Sequence, residues 1–230
     1  MTEAFLSLNP FGNSGHQIEA AKPETAEQLV GEVVETSLTS YLAQTYKLDE
    51  PPPFGGLVRV RDRGGRCEIF GAVHHIATGG IDPGRRAMTR GNGEPPNSDE
   101  QVYSENPQLS RLLRTEFGVT VLGCRKLDSS GQPGRITYVF PDYPPPLHYG
   151  VSLCSTQQLI EFTSESRYLR ALLEAKDAPV EELTAAVLRR GTEARGPYGR
   201  AWLVDSGRYL ARLLKEDYNR LRLILEKCEV

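Results

Sequence analysis

The sequence predicts an α+β fold: an N-terminal small, antiparallel, closed β-barrel of six or seven strands with an inserted loop and helix, then a C-terminal helical domain. Three observations predict it. Between residues 28 and 155, short β-rich runs are separated by Gly, Pro and Ser turns without intervening helices, which suits a closed barrel better than an α/β sheet. Residues 81–113 interrupt that pattern with a stretch rich in glycine and proline. From Thr156 onward, apolar residues recur at helical spacing.

Each element has its own justification. Residues 1–27 are polar and unpatterned and read as a flexible N-terminal segment. "QLVGEVVETSLT" carries the β-branched residues Val30, Val33 and Val34, and "SYLAQTYKL" follows until "DEPPP" breaks it. In "GGLVRVRD", Leu57, Arg59 and Arg61 alternate with Val58 and Val60, and "RGGR" makes the hairpin turn into "CEIFGAVHHIATG". Inside the insertion, "SDEQVYSENPQLSRLL" reads as a short helix capped by Ser98 and ended or kinked by Pro107. Strand texture returns in "TEFGVTVLGCRKL" and "RITYVFP", joined by "DSSGQPGR", and "PDYPPPLHYGVSLCS" is a stiff proline segment leading to a last short strand. The tail, 156–230, reads as three or four helices, either a small bundle or a clamp on the barrel. Pro179 sits near the first position of one and Gly191 at its end. "SGRYLARLLKEDYNRLRLILEKC" reads as one long final helix.

Bulk properties exclude several classes. A 39% hydrophobic and 25% charged composition is ordinary for a globular protein, and a formal net charge of −3 gives no general attraction to nucleic acid or anionic membrane. No apolar run approaches the roughly 20 residues that span a bilayer. The N-terminus lacks the basic region of a signal peptide. Cysteines 67, 124, 154 and 228 make no CxxC pair, so structural zinc is not expected, and reduced thiols in a cytoplasmic protein are.

The motifs that suggest chemistry are weak. Gly79–Arg86 has the glycine spacing of a phosphate-binding loop, but Arg85 and Arg86 replace its Lys and hydroxyl, and Pro83 removes a backbone donor. His74 and His75 are adjacent on a strand, so their rings point to opposite faces and cannot share a metal. His148 is the one plausible further ligand. Neither G-x-S-x-G nor H-E-x-x-H occurs. No cofactor and no metal are expected. Arg59 and Arg61 share a strand face and, with Arg85 and Arg86, could form a basic patch, although no aromatic residues are interleaved with them to stack bases.

Taken in order, "VGEVVETSLTSYLAQTYK", "PPFGGLVRVRD", "EIFGAVHHIATG", "TEFGVTVLGCRK" and "PPPLHYGVSLCS" resemble the HAS barrel, the small N-terminal barrel of HerA-type helicases and of the ATP synthase α and β subunits. The resemblance covers roughly residues 28–155, apart from the insertion, and the whole chain is similar to stand-alone HAS-barrel proteins of cyanobacteria. In the ATPases a motor domain follows; here the residues after Ser155 are helical in pattern, so no ATPase site residue carries over. The resemblance implies a barrel that organises rings and recruits partners without catalysing a reaction.

The expected function is therefore a non-enzymatic binding or assembly module. It would dock onto a larger protein complex, an ATPase being one such partner, through its barrel and the 81–113 insertion, with Arg85, Arg86 and Tyr103 as contact residues. Nucleic-acid binding through Arg59, Arg61, Arg85 and Arg86 is the alternative. A third is an enzyme using His74 or His75 with a carboxylate. A free homodimer is equally compatible with the sequence.

Overall fold

The computed structural model describes residues 28–82, 88, 99–176 and 178–228. The segment 1–27, Arg85, Arg86 and the expected cap Ser98 lie outside these.

Seven strands form one antiparallel sheet: β1 (Leu29–Thr36), β2 (Ser40–Thr45), β3 (Leu57–Arg61), β4 (Cys67–Gly80), β5 (Leu113–Leu127), β6 (Pro133–Thr137) and β7 (Gly150–Leu153). Pairing of β2 with β5 closes six of them into a barrel in the order β1, β2, β5, β4, β3, β7, and β6 is an extra strand on β5. Closure removes the sheet edges that an open antiparallel sheet would leave. The period of two in β3 sorts its side chains: Val58 and Val60 enter the barrel core with Val33, Ile69, Phe117 and Val121, while Leu57 turns outward. The β3–β4 hairpin turns at Gly65, whose φ of +62° is the left-handed conformation that favours glycine. Asp62 Oδ1 accepts the Arg66 and Cys67 amides at 2.7 and 3.0 Å and ties off the turn.

Strands β4 and β5 outrun the barrel. Beyond Val73, residues Ile76 to Gly80 pair with Phe117 to Leu113; β2 still pairs with β5 at Glu116 and Phe117, so the two-stranded arm is Thr78 to Gly80 against Thr115 to Leu113, and β3 pairs with β4 only as far as Ala72. Between β4 and β5 lie α1 (Asp99–Glu105) and α2 (Leu109–Leu112), with Pro107 in the break between them.

After β7 come α3 (Thr156–Phe162), α4 (Tyr168–Leu173), α5 (Val180–Ala194), α6 (Gly199–Leu213) and α7 (Tyr218–Glu226). A full capping box starts α3: Ser155 Oγ accepts the Gln158 amide, and Gln158 Oε1 accepts the Ser155 amide. These helices pack on the outside of the barrel. Phe162, Tyr168, Leu169, Leu172, Leu183 and Leu188 share one core with Leu57, Phe70, Ala72 and Leu122 of the strands. Three expectations change: the tail, read as three or four helices, has five α-helices among the described residues. The long final helix is two, because Asp217 caps a new start by accepting the Arg220 amide at 3.0 Å. Gly191 does not stop α5; it lies inside the helix, beneath the Trp202 ring. Among the described residues no helix is long and apolar enough to cross a membrane.

Candidate functional site

Among the described residues, chemistry-bearing side chains come together at several places. The first is a cluster of charge in the barrel wall. Arg59 faces outward from β3, as its alternation requires, yet it is only 8% exposed and pairs with Glu68 of β4. Arg125 of β5 donates to the other oxygen of Glu68 from Nε at 2.9 Å and reaches Glu161 of α3 from Nη1 at 2.9 and 3.0 Å. Its guanidinium also lies 5.4 Å from the centre of the Phe70 ring. Two arginines and two glutamates balance, so the cluster is a neutral latch between barrel and α3. Arg59, expected in a basic patch, is instead buried and paired with Glu68, and it also lines the neighbouring cleft.

Past the latch, the outer wall opens into a cleft of about 520 Å³ at the β3–β4 hairpin. Arg61 and Arg63 line it together with Tyr46 from the end of β2 and Tyr149 from the start of β7. Tyr149 donates its hydroxyl to the Arg63 carbonyl at 3.4 Å. The aromatic residues missing from the arginine-rich stretch of sequence are therefore supplied by distant strands that the barrel brings alongside it. Nothing local in the sequence signals this; only the order of strands around the barrel does.

The second place is the root of the arm. Asp49, in the left-handed region at φ +59°, accepts from Thr78 Oγ1 of β4 at 2.9 Å, from Thr115 Oγ1 of β5 at 3.3 Å and from the Tyr103 hydroxyl of α1 at 3.3 Å. Its own amide donates back to Thr115 Oγ1 at 3.0 Å. The Asp49 charge pushes the Tyr103 phenol above its ordinary value, since a phenolate there would be repelled. Tyr103 is thus a brace that ties α1 to the barrel loop, with part of its ring exposed.

The third is the histidine pair. A β-bulge between Val73 and His75 breaks the strict alternation, so both rings line one shallow depression with Glu35, Tyr41 and Gly118. The expectation of opposite faces fails for that reason. His74 Nδ1 hydrogen-bonds Thr120 Oγ1 at 2.8 Å, and its ring lies over Gly118, where a Cβ would stand 2.8 Å from Nε2. His148 is elsewhere, on the proline segment, with Nδ1 2.6 Å from Glu32 Oε1. Among the described residues no group of three or more His, Cys, Asp or Glu side chains could hold a metal ion. Glu35, the carboxylate beside the histidines, is exposed, and the buried Glu68 is engaged by two arginines.

Glu68, Arg125 and Glu161 went unnoticed in the sequence. The signal was present for two of them: Glu68 interrupts the apolar run "CEIFGAV" and Arg125 follows "VTVLGC", and a lone charge in a buried strand needs a partner. No family model matches the chain, and no curated protein matches it either.

Proposed function

We propose that this chain is a non-enzymatic binding and assembly module: a HAS-like barrel with helices packed on its outer wall that docks onto a larger protein complex. An ATPase is the class of partner that the resemblance in "PPFGGLVRVRD" and "EIFGAVHHIATG" implies. The observation that carries the reading is the arm. Its far end holds Ile81 and Leu112 side by side, joined by the Ile81 amide donating to the Leu112 carbonyl at 2.9 Å, and the two are 50% and 52% exposed. Apolar side chains held out on a braced two-stranded ribbon suit a protein contact. The β4 backbone beyond Val73, where β3 no longer pairs with it, suits strand addition by a partner.

The test is affinity capture of the tagged protein from its native lysate after nuclease treatment, beside the Ile81→Asp/Leu112→Asp variant. The expected result is a stoichiometric, nuclease-resistant partner that the variant loses while its circular dichroism is unchanged. Equal recovery by both proteins, or recovery of nothing but the bait, overturns the reading.

Nucleic-acid binding is the second reading, and the cleft favours it: two tyrosines beside Arg61 and Arg63 match the aromatic-plus-cation pattern of single-strand recognition. Arg59 drops out of that surface because Glu68 neutralises it.

A further inference from the structure

A fourth feature stands apart from all of these. One edge of β5 is shared in tandem: β2 pairs with Glu116 to Thr120, and β6 pairs with Cys124 to Leu127. Between them, the Val121 amide donates to the Thr39 carbonyl at 2.9 Å. The seam opens into a groove of about 650 Å³ between the barrel and α4, within the size range of small-molecule sites.

The lining is amphipathic. Leu122, Tyr138, Val139, Phe140, Ala171 and Ala175 make it apolar, and Val139 and Phe140 remain 62% and 53% exposed. The walls are fixed in advance. Tyr138 donates its hydroxyl to the Phe162 carbonyl at 2.7 Å, pinning the 138–140 segment to the helices, and its ring packs edge-on against Phe162 at 5.5 Å. Among the described residues, the charges along the helical wall are Arg167, Arg170 and Lys176 against one acid, Glu174. Arg167 is answered by Glu165 at 3.2 Å, which leaves Arg170 and Lys176 facing Glu174 with a net positive balance. Hydroxyls of Thr39, Ser40 and Thr120 complete the lining from the barrel side.

We infer that this groove is a binding site for a small amphipathic carboxylate, an apolar chain or ring lying along Leu122, Val139, Phe140 and Ala171 with its anionic end at Arg170 and Lys176. The charge balance selects an anion over a neutral or cationic ligand, and the preformed walls lower the ordering cost of binding. The site is independent of the arm and of the arginine–tyrosine cleft, so it stands or falls separately from the assembly reading.

The experiment is calorimetric titration of the full chain with decanoate, beside decanol and decyltrimethylammonium as neutral and cationic counterparts of equal length. Two variants accompany it: Ala171→Trp to fill the groove, and Arg170→Glu/Lys176→Glu, at the charged wall, to reverse its charge, with circular dichroism as the check on folding. The expected result is saturable one-to-one binding of decanoate, about tenfold tighter than decanol. It should be lost in Ala171→Trp and weakened about tenfold or more in the charge reversal. Absence of decanoate binding, equal affinity for the three probes, or affinity unmoved in a folded charge-reversed variant overturns the proposal. Capture of an acidic peptide by a groove that ignores decanoate likewise overturns it, because the occupant would then be a protein segment.

Discussion

Arg125 holds Glu68 from Nε at 2.9 Å inside the barrel wall, with side chains only 6% and 5% exposed, while its Nη1 reaches out to a Glu161 carboxylate that is 46% exposed. One guanidinium thus joins a buried ion pair to a half-solvated one. The two halves differ in energy. Removing Arg125 leaves Glu68 with less than its full compensation in a dry wall, whereas water can replace the contact at Glu161. Arg125→Ala is expected to lose about 3–5 kcal/mol in urea unfolding, and Glu161→Ala less than about 1 kcal/mol. Similar losses from the two variants would show that the latch does not hold the wall as described.

Gly191 and Trp202 reverse an ordinary rule. A glycine inside a helix is normally improved by alanine, by about 1 kcal/mol. Here a Cβ on Gly191 would stand 2.8 Å from Trp202 Cζ3, and the ring has little freedom to yield. Trp202 Nε1 donates to the Thr163 carbonyl at 3.0 Å, and the Arg195 guanidinium lies 4.1 Å from the ring centre on the same indole. Gly191→Ala is therefore expected to destabilise by about 1–3 kcal/mol through overpacking. Trp202 is the only tryptophan, so its emission reports the displacement directly. A gain in stability with unchanged emission would mean that the ring moves aside freely.

Stability should fall on the alkaline side. Burial pushes the Tyr168 phenol well above its ordinary 10.0 and the Cys154 thiol from 9.0 up to about 12. Both groups are neutral when protonated, and their folded values lie above their unfolded ones. Their contribution is therefore fully present below about pH 9 and is lost progressively as the pH rises toward 12. The Tyr168 hydroxyl is also buried and makes no hydrogen bond among the described residues. Tyr168→Phe removes an unsatisfied group and one alkaline titration together. It is expected to gain about 1 kcal/mol at pH 7 and to flatten the fall of Tm between pH 9 and 11. A variant that is less stable at neutral pH, with the same alkaline slope, would show that the hydroxyl has a partner.

Periodicity made the barrel readable and left its sites hidden. The alternation of Val58 and Val60 with Arg59 and Arg61 is a local property, and it placed these side chains on the correct sides of the wall. Whether an outward residue meets water is not local: Arg59 is buried in an ion-pair cluster completed by Arg125 and Glu161, far along the chain, and Arg61 is exposed. The same holds for Tyr46 and Tyr149, which meet Arg61 and Arg63 only after β2, β3 and β7 have taken their places around the barrel. His74 shows the reverse limit. A single bulge, invisible in the pattern, moved its ring to the same face as His75. The split of the tail at Asp217 was legible in principle, since Asp is a preferred cap, but an unbroken apolar stripe outweighs one capping residue in a sequence.

The arginine–tyrosine cleft separates the two functional readings by salt. If a single strand tracks Arg61 and Arg63 and stacks on Tyr46, binding of a fluorescein-labelled oligo-dT must weaken steeply as salt rises, because each neutralised phosphate releases counterions. Charge reversal at Arg61 or Arg63 should then lower the affinity and also reduce the salt slope by about 0.7 per lost phosphate contact. Tyr46→Ala should act differently. It is expected to cost about 1–3 kcal/mol at every salt concentration and leave the slope unchanged, since stacking carries no charge. Fluorescence anisotropy across a salt series measures both quantities on the same samples. An absent or flat response removes nucleic acid as a ligand of this cleft and leaves protein docking through the arm as the reading to pursue.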